Sequence, residues 1–334
     1  MKVFKQILFY FIIFVSVLVI LASLLSLIYD LAYWYSKVVD FPRLQYLIVA
    51  LICLLIFVLL NKKWGFASVF LAVGLLTAIT IHATRILPYI VGDKPVPDVA
   101  QEAISQENSV GILIANVLIT NKEAADFLEI VEQTDPDMLL VMEVDQWWVN
   151  QLQGLKVEYP YIMEYPLENA YGMALYSRFP LKDTEIKFFN HDDVPSFHAK
   201  VILPSGEAFR FHGMHPVAPV PSDKYPDNVG EEEVGLLKVG QLVAAESLPS
   251  IVAGDFNDVS WSHTSRLFGD AGSLKNVRLG RGLYNSFNAK SLIMRWPLDH
   301  FFVTREFALL ELERLRKFNS DHFPMFAKLV LQKQ

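Results

Sequence analysis

The chain has 334 residues, is 53% hydrophobic and carries a formal net charge of −7; a mean hydropathy of +0.31 is high for a purely soluble protein of this length. A single cysteine excludes a disulfide framework. Seven of the 29 basic and two of the 36 acidic residues lie within residues 1–90, so the remainder holds 22 against 34, a net of −12, which argues against a general grip on nucleic-acid backbones.

The apolar excess sits at the start. Phe4 to Ile28 is long enough to cross a bilayer, and shorter apolar runs follow from Tyr46 to Leu60 and from Trp64 to about Ile81. A cleaved signal peptide would account only for the first, and no small-residue cleavage site follows it, so residues 1–90 are expected to form three transmembrane helices. Lys2 and Lys5 precede the first run and Lys62 and Lys63 separate the second from the third. By the positive-inside tendency these cations mark the cytoplasmic side, which places everything after Pro88 outside the cell. Trp34, Tyr33, Tyr35, Trp64 and Tyr89 fall near the expected interfaces. Gly92 to Asp98, with two prolines, opens a polar stretch at residues 91–108 that reads as a linker leading away from the membrane.

From residue 109 to 334 the pattern is that of one α/β domain. Gly111–Ala115 and Met138–Met142 are buried-strand runs that end at Asn116 and Glu143, and Lys122–Thr134 between them has helical apolar spacing. Tyr171–Pro180 gives a strand and a turn. Phe197–Leu203 and Ala208–Met214 bracket a Pro-Ser-Gly-Glu turn as a β-hairpin that runs into His215. His212 and His215 are three apart on an extended chain and face opposite ways, so only His215, at the strand end, is a candidate for a shared pocket. Glu231–Ser247 reads as a helix, Trp261–Phe268 as a short helix, and Leu298–Val303 and Met325–Leu331 as strands. Between the first two of these, Ile251–Asp258 is a hydrophobic strand that stops at Gly254 and puts Asp255 and Asn257 two residues apart, on one side of an extended backbone.

Taken singly, Gly254-Asp255-Phe256-Asn257 is an ordinary turn leaving a strand, and Asp321-His322 an ordinary exposed pair. Together, Asn116, Glu143, His215, Asp255, Asn257, Asp299, Asp321 and His322 all stand at strand ends or entries. Carboxylates, amides and imidazoles gathered in that way suit an oxygen-loving divalent cation with acid–base histidines. Soft ligands are too few for structural zinc, and no Gly-x-Ser-x-Gly, Walker-type or Gly-x-Gly-x-x-Gly motif occurs.

From about Ser109 onward the chain resembles the endonuclease/exonuclease/phosphatase (DNase I-like) superfamily. The carriers are Asn116, Glu143, the Gly172-to-Pro180 block, His215, Gly254-Asp255-Phe256-Asn257, Leu298-Asp299-His300 and Ser320-Asp321-His322-Phe323-Pro324, in that order. Trp261-Ser262, Gly280-Arg281-Gly282-Leu283 and the N-terminal spans are similar to its bacterial membrane-anchored branch, a multi-pass protein of the cell membrane. The resemblance implies a four-layer α/β sandwich of two packed, mostly antiparallel sheets flanked by helices, behind the transmembrane segment. It implies a phosphoesterase, a hydrolase that cleaves a phosphodiester or phosphomonoester by in-line attack of water. In it Asn116, Glu143 and Asp321 serve a Mg²⁺ or Mn²⁺ ion, Asp299 orients His322, His215 and Asn257 contact phosphate oxygens, and Asp255 or His322 activates water at a solvent-reached sheet edge. The nuclease members' second acid after the Asn is replaced by Val117, Leu118 and Ile119, which speaks against a second metal. Membrane tethering and the −12 charge favour a phospholipid or another small phosphodiester slightly over DNA or RNA as substrate, although nucleic acid stays open; a catalytically silent membrane-anchored binding protein is the alternative from another class. The bilayer is the one further partner implied, and no protein partner can be read from the sequence.

Overall fold

The computed structural model describes residues 2–28, 34–99, 105–223, 225–226 and 234–332. Tyr33, the side chain of Tyr35 and the first three residues of the helix expected from 231 lie outside them. Helices α1 (Lys2–Leu25), α3 (Arg43–Leu60) and α4 (Phe66–Val91) are each long and apolar enough to span a membrane, and a short α2 (Trp34–Val38) precedes α3. They pack on one another through Ile12, Val19, Ala50, Cys53, Phe57, Leu75 and Ala78, while Phe4, Leu59 and Phe66 point outward, as side chains facing lipid would. Helix α4 runs ten residues past the apolar stretch read from the sequence, because Arg85 and Pro88 interrupt the hydropathy without interrupting the backbone.

Among the described residues of the remaining chain, twelve strands form two six-stranded sheets. The first is ordered β11 (Phe307–Arg314), β12 (Met325–Leu331), β1 (Ser109–Asn116), β2 (Met138–Met142), β4 (Met173–Ser177), β3 (Tyr161–Tyr165). The second is β5 (Leu181–Phe188), β6 (Pro195–Ile202), β7 (Ala208–Met214), β8 (Ser250–Asp255), β10 (Asp299–Val303), β9 (Lys275–Asn276). Pairing is antiparallel except for β1 with β2 and β7 with β8, so the two mixed sheets are mostly antiparallel.

Alternation along these strands builds the layers. Ile112, Ile114, Leu140 and Met142 face Phe209, Phe211, Ile251, Ala253 and Phe301 between the sheets. The opposite face of the first sheet, with Leu113, Leu139 and Val141, is covered by α5 (Ala125–Thr134) and α6 (Gln146–Gln151) through Phe127, Ile130 and Trp148. Val252 and Phe302 on the outside of the second sheet meet α7 (Val234–Ala245) and α8 (His263–Ala271) through Leu236, Val239 and Phe268. This is the four-layer sandwich expected from the sequence.

The polar stretch after α4 is not a free spacer over its described part. Val96 is buried in the inter-sheet core, Leu309 N donates to the Pro97 carbonyl (2.9 Å), and Val99 N to the Leu309 carbonyl (3.0 Å), so this strap lies along β11. Arg281 holds it by donating to the Val96 carbonyl and to Asp98. The sandwich also sits directly on the helices. Phe41, Ile86 and Tyr89 pack with Val259, Trp261 and Leu298; Tyr89 Oη donates to the Ser260 carbonyl (2.6 Å) and Trp261 Nε1 to the Asp40 carbonyl (2.7 Å). Tyr89 is thus buried in that contact.

Candidate active site

Strand direction gathers the polar residues. The parallel neighbours β1 and β2 end side by side at Asn116 and Met142, which brings Asn116 next to Glu143. On the other sheet the parallel pair β7 and β8 ends at Met214 opposite Gly254, which brings His215 next to Asp255. Strand β10 runs antiparallel to β8 and starts at the same edge, with Asp299 opposite Asp255. The turn leading into β12 is pinned there by Ser320 Oγ, which donates to the Asn116 carbonyl (2.8 Å) and accepts from His322 N (3.0 Å).

The resulting cluster is tightly specified. His322 Nδ1 donates to Asp299 Oδ2 at 2.8 Å, and its Nε2 lies 3.5 Å from Asp255 Oδ2. Asn116 Nδ2 donates to both Glu143 Oε1 (2.8 Å) and Asp255 Oδ2 (3.1 Å), bridging the two sheets. Its own Oδ1 accepts from Leu118 N (3.0 Å), so in this orientation Asn116 positions two carboxylates and does not present an oxygen to a cation. Glu143 Oε2 accepts from Ile119 N (2.9 Å). Asp255 Oδ1 accepts from Asn257 N (2.8 Å), and Asn257 Nδ2 donates to the Pro216 carbonyl (2.9 Å). His215 Nε2 stands 3.8 Å from Asp255 Oδ2 under the ring of Tyr171, 5.2 Å away. Asp321 is half-buried at the rim, and its charge acts on both His322 and Glu143.

Two of these residues sit in the left-handed backbone region, Glu143 at φ +61° and Asn257 at φ +51°. For residues other than glycine this costs about 1–3 kcal/mol and persists only where neighbours enforce it, as the hydrogen bonds just named do.

Burial dominates the electrostatics. Asp255 and Asp299 are fully buried and His215, His322 and Asn116 nearly so, which corrects the expectation that Asp255 and His322 reach solvent. The reason is the cover supplied by neighbouring loops: the Phe287 ring lies 4.9 Å from His322 and Tyr171 roofs His215. Only Glu143, Asn257 and Asp321 form a half-buried rim. Burial opposes the charge of His322, yet the Asp299 and Asp255 carboxylates outweigh it and push its pKa up to about 10. Burial likewise opposes ionisation of Asp299, but the His322 imidazolium holds it below the usual carboxylate range. Asp255 is driven the other way, up to about 7, by burial that His322 only partly offsets. Burial and the positive His322 lower His215 to about 3, leaving a neutral ring. Burial also raises Glu143.

Beneath this layer lies a support that the sequence motifs did not single out. Buried Arg278 donates to the Asp299 carbonyl (2.6 Å), to Ser260 Oγ (2.6 Å) and to His300 Nδ1 (3.0 Å). His300 Nε2 donates to the Asp258 carbonyl (2.9 Å), which fixes the tautomer that leaves Nδ1 free to accept. Ser286 Oγ accepts from Leu298 N (3.2 Å) and Asp299 N (3.1 Å). His300 stood next to Asp299 in the motif, but Arg278, Ser286 and Tyr171 carry no local signal. His212, expected to be structural, turns away from the cluster and pairs with His198 (Nδ1 to Nδ1, 2.7 Å).

One atom each of Asp255, Asp299 and His322 lies within 4.8 Å of the others, a spacing that a cation could also occupy. A ring held as imidazolium between two carboxylates has no lone pair to offer, so in this protonation state the trio is closed by a proton. Glu143 differs: both its oxygens meet neutral donors, and among the described residues no basic side chain forms an ion pair with it. With Asp321 nearby, this is a hard-oxygen donor pair whose only positive neighbour is the His322 ring, acting through space without a direct ion pair, and such oxygens fit a hard divalent cation.

The profile of the endonuclease/exonuclease/phosphatase family matches residues 113–322, more than half of the sequence, and the chain belongs to this family. Solved structures share its fold. The human Nocturnin catalytic domain with bound sulfate is 17% identical with a TM-score of 0.51, the match covering 69% of this chain and 97% of that one. A D. rerio TDP2 complexed with single-strand DNA product is 16% identical with a TM-score of 0.52, covering 66% and 98%. An endonuclease/exonuclease/phosphatase from Bacteroides vulgatus is 17% identical with a TM-score of 0.52, covering 67% and 99%. No curated protein sequence matches the chain.

Proposed function

We propose that the protein is a membrane-anchored, divalent-metal-dependent phosphoesterase that hydrolyses a phosphate ester by in-line attack of water, on the outer side of a bacterial cell membrane. The observation that carries this reading is the buried Asp299–His322–Asp255 array beside the Glu143 carboxylate, which meets only neutral hydrogen-bond donors, all at one edge of the sandwich. Residues 1–90 are the anchor, and residues 109–334 the catalytic domain.

Glu143 and Asp321 would hold Mg²⁺ or Mn²⁺, with Asn116 fixing the Glu143 carboxylate; the bound ion would supply positive charge to the phosphate oxygens. Asp299 holds His322 in its cationic form, and a cationic ring donates. His322 Nε2 therefore serves as a donor to phosphate oxygen, and Asp255, whose raised pKa suits proton acceptance near neutrality, is assigned as the base that positions and deprotonates water. Neutral His215 and the second N–H of Asn257 add donors to the nonbridging oxygens. The burial around Asp255 keeps bulk water from competing for these donors. The net of −12 outside residues 1–90 supports a phospholipid or small phosphodiester over nucleic acid.

The test is hydrolysis by the full-length chain in nanodiscs, with Mg²⁺ or Mn²⁺, of phospholipid vesicles, a soluble aryl phosphodiester, duplex DNA and RNA, alongside Asp255→Asn. Turnover that the variant lacks supports the reading and its preferred substrate names the class. A folded, metal-binding protein silent on every substrate would favour the binding-protein alternative.

A further inference from the structure

Leu292, Ile293 and Met294 expose 87%, 75% and 47% of their surface. The other large apolar side chains exposed among the described residues beyond 105, namely Val157, Tyr161, Phe188, Val220 and Leu267, stand singly, as is normal on a soluble surface. Three in a row at a loop tip are not normal. Nor is the tip slack: Ser291 Oγ accepts from Ile293 N (3.3 Å) and Met294 N (2.9 Å), Arg295 N donates to the Ile293 carbonyl (3.1 Å), and Arg295 Nε to the Ser291 carbonyl. The turn spends its polar groups on itself and holds the apolar side chains outward.

Its position is set by the helices. Gln45, two residues into α3, donates through Nε2 to the Ile293 carbonyl (2.8 Å). Helix α3 is 18 residues, about 27 Å at 1.5 Å per residue and close to the roughly 30 Å hydrocarbon thickness, so its first turn lies at a membrane boundary. Lys290 and Arg295 flank the apolar tip, where cations reach lipid phosphates. From the chain segment entering α3, a file of rings leads inward: Phe41 to Trp296 (5.8 Å between centroids), Trp296 to Phe287 (6.1 Å), Phe287 to His322 (4.9 Å).

We propose that the Ser291–Arg295 turn is seated in the lipid leaflet that α3 enters, with Leu292, Ile293 and Met294 among the acyl chains, and that the site beside Phe287 takes its phosphate ester from lipid headgroups of that leaflet. The lipid contact rests on the membrane-spanning reading of α1, α3 and α4, and the substrate source on the phosphoesterase reading.

The full chain is reconstituted in nanodiscs, in a Cys53→Ala background, with an environment-sensitive fluorophore on Ile293→Cys. Quenching by doxyl-labelled phospholipid with little quenching by aqueous iodide is expected; the reverse would overturn the seating. In the second arm, Ile293→Asp is expected to lower turnover of vesicle phospholipid about tenfold while leaving a water-soluble aryl phosphodiester unchanged. Equal losses on both substrates, or no loss on either, would overturn the headgroup source. Should the unaltered chain hydrolyse neither substrate, the phosphoesterase reading fails, and quenching still decides the seating.

Discussion

Replacing Asp299 by Asn tests the core of the assignment, because it removes a charge and nearly nothing else. The carboxylate accepts from His322 Nδ1 at 2.8 Å with both groups buried. At an effective dielectric near 20, opposite unit charges at that distance attract by about 6 kcal/mol. Desolvation consumes part of this, and losing one partner of a buried pair typically costs about 3–5 kcal/mol. Asp255, 3.5 Å from Nε2, still supports the imidazolium, so the lower end applies. About 3 kcal/mol at the transition state corresponds to roughly a 100-fold loss in kcat. The assay is kcat for the best substrate in nanodiscs, with thermal melting as the control for folding and the ¹⁵N shifts of the His322 ring as a readout of its protonation. The pKa of His322 should fall from its raised position while the amide oxygen introduced by Asp299→Asn keeps the ring oriented. Full activity with an unprotonated ring at pH 7 would refute the reasoning, since the imidazolium would then be dispensable.

Glu143→Gln keeps shape but loses the charge assigned to the cation; Mn²⁺ affinity measured calorimetrically should drop at least 10-fold, and unchanged affinity would move the metal to Asp255, Asp299 and His322. Gly254→Ala places a Cβ 1.9 Å from the Met214 carbonyl oxygen at φ +144°, so β7 and β8 must part beside His215; a loss above about 3 kcal/mol by denaturant titration is expected, and an unchanged midpoint would contradict the close approach. Burial, followed by nearby cations, lowers His198 and His300 to about 3, and burial drives His212 well down. Unfolded histidines titrate near 6.5, so the unfolded chain binds more protons below that value. The stabilisation is complete above about pH 6.5 and is lost as pH falls toward 3, on the order of 2 kcal/mol per histidine by pH 5. Melting curves from pH 7.5 to 4.5 should show it, and His198→Asn should flatten the slope; an unchanged slope would show that the pair does not titrate on unfolding.

Local pattern was enough for the strands that carry the site. Ser109–Asn116, Met138–Met142 and Ser250–Asp255 are buried on both faces, so their near-continuous apolar runs announce them, and a polar residue at the end of such a run is conspicuous. Hence Asn116, Glu143 and Asp255 stand out at the ends of these runs, although each alone reads as an ordinary strand end and only the set completed by His215, Asp299 and His322 points to a site. The edge strands β3, β5 and β11 were not visible. Phe307–Arg314 consists largely of good helix formers, and Leu181–Phe188 alternates charges that protect an edge, so only pairing with β12 and β6 makes strands of them. The polar strap at residues 96–99 misled for a similar reason: its partners, Leu309 and Arg281, are about two hundred residues away.

What the chain's own pattern settled was therefore the list of elements in the buried core and the order of polar residues at their ends. Sheet order and register decided the rest. They set which carboxylate meets which imidazole, put Asp299 opposite Asp255, made Asn116 a bridge between two acids, and slid Arg278 and His300 underneath. They also stood the sandwich on the helices through Tyr89 and Trp261, so that the aromatic file from Phe41 ends at His322. Each of these contacts joins residues far apart in sequence. Periodicity reports the environment of one residue at a time, whereas a contact depends on the placement of two.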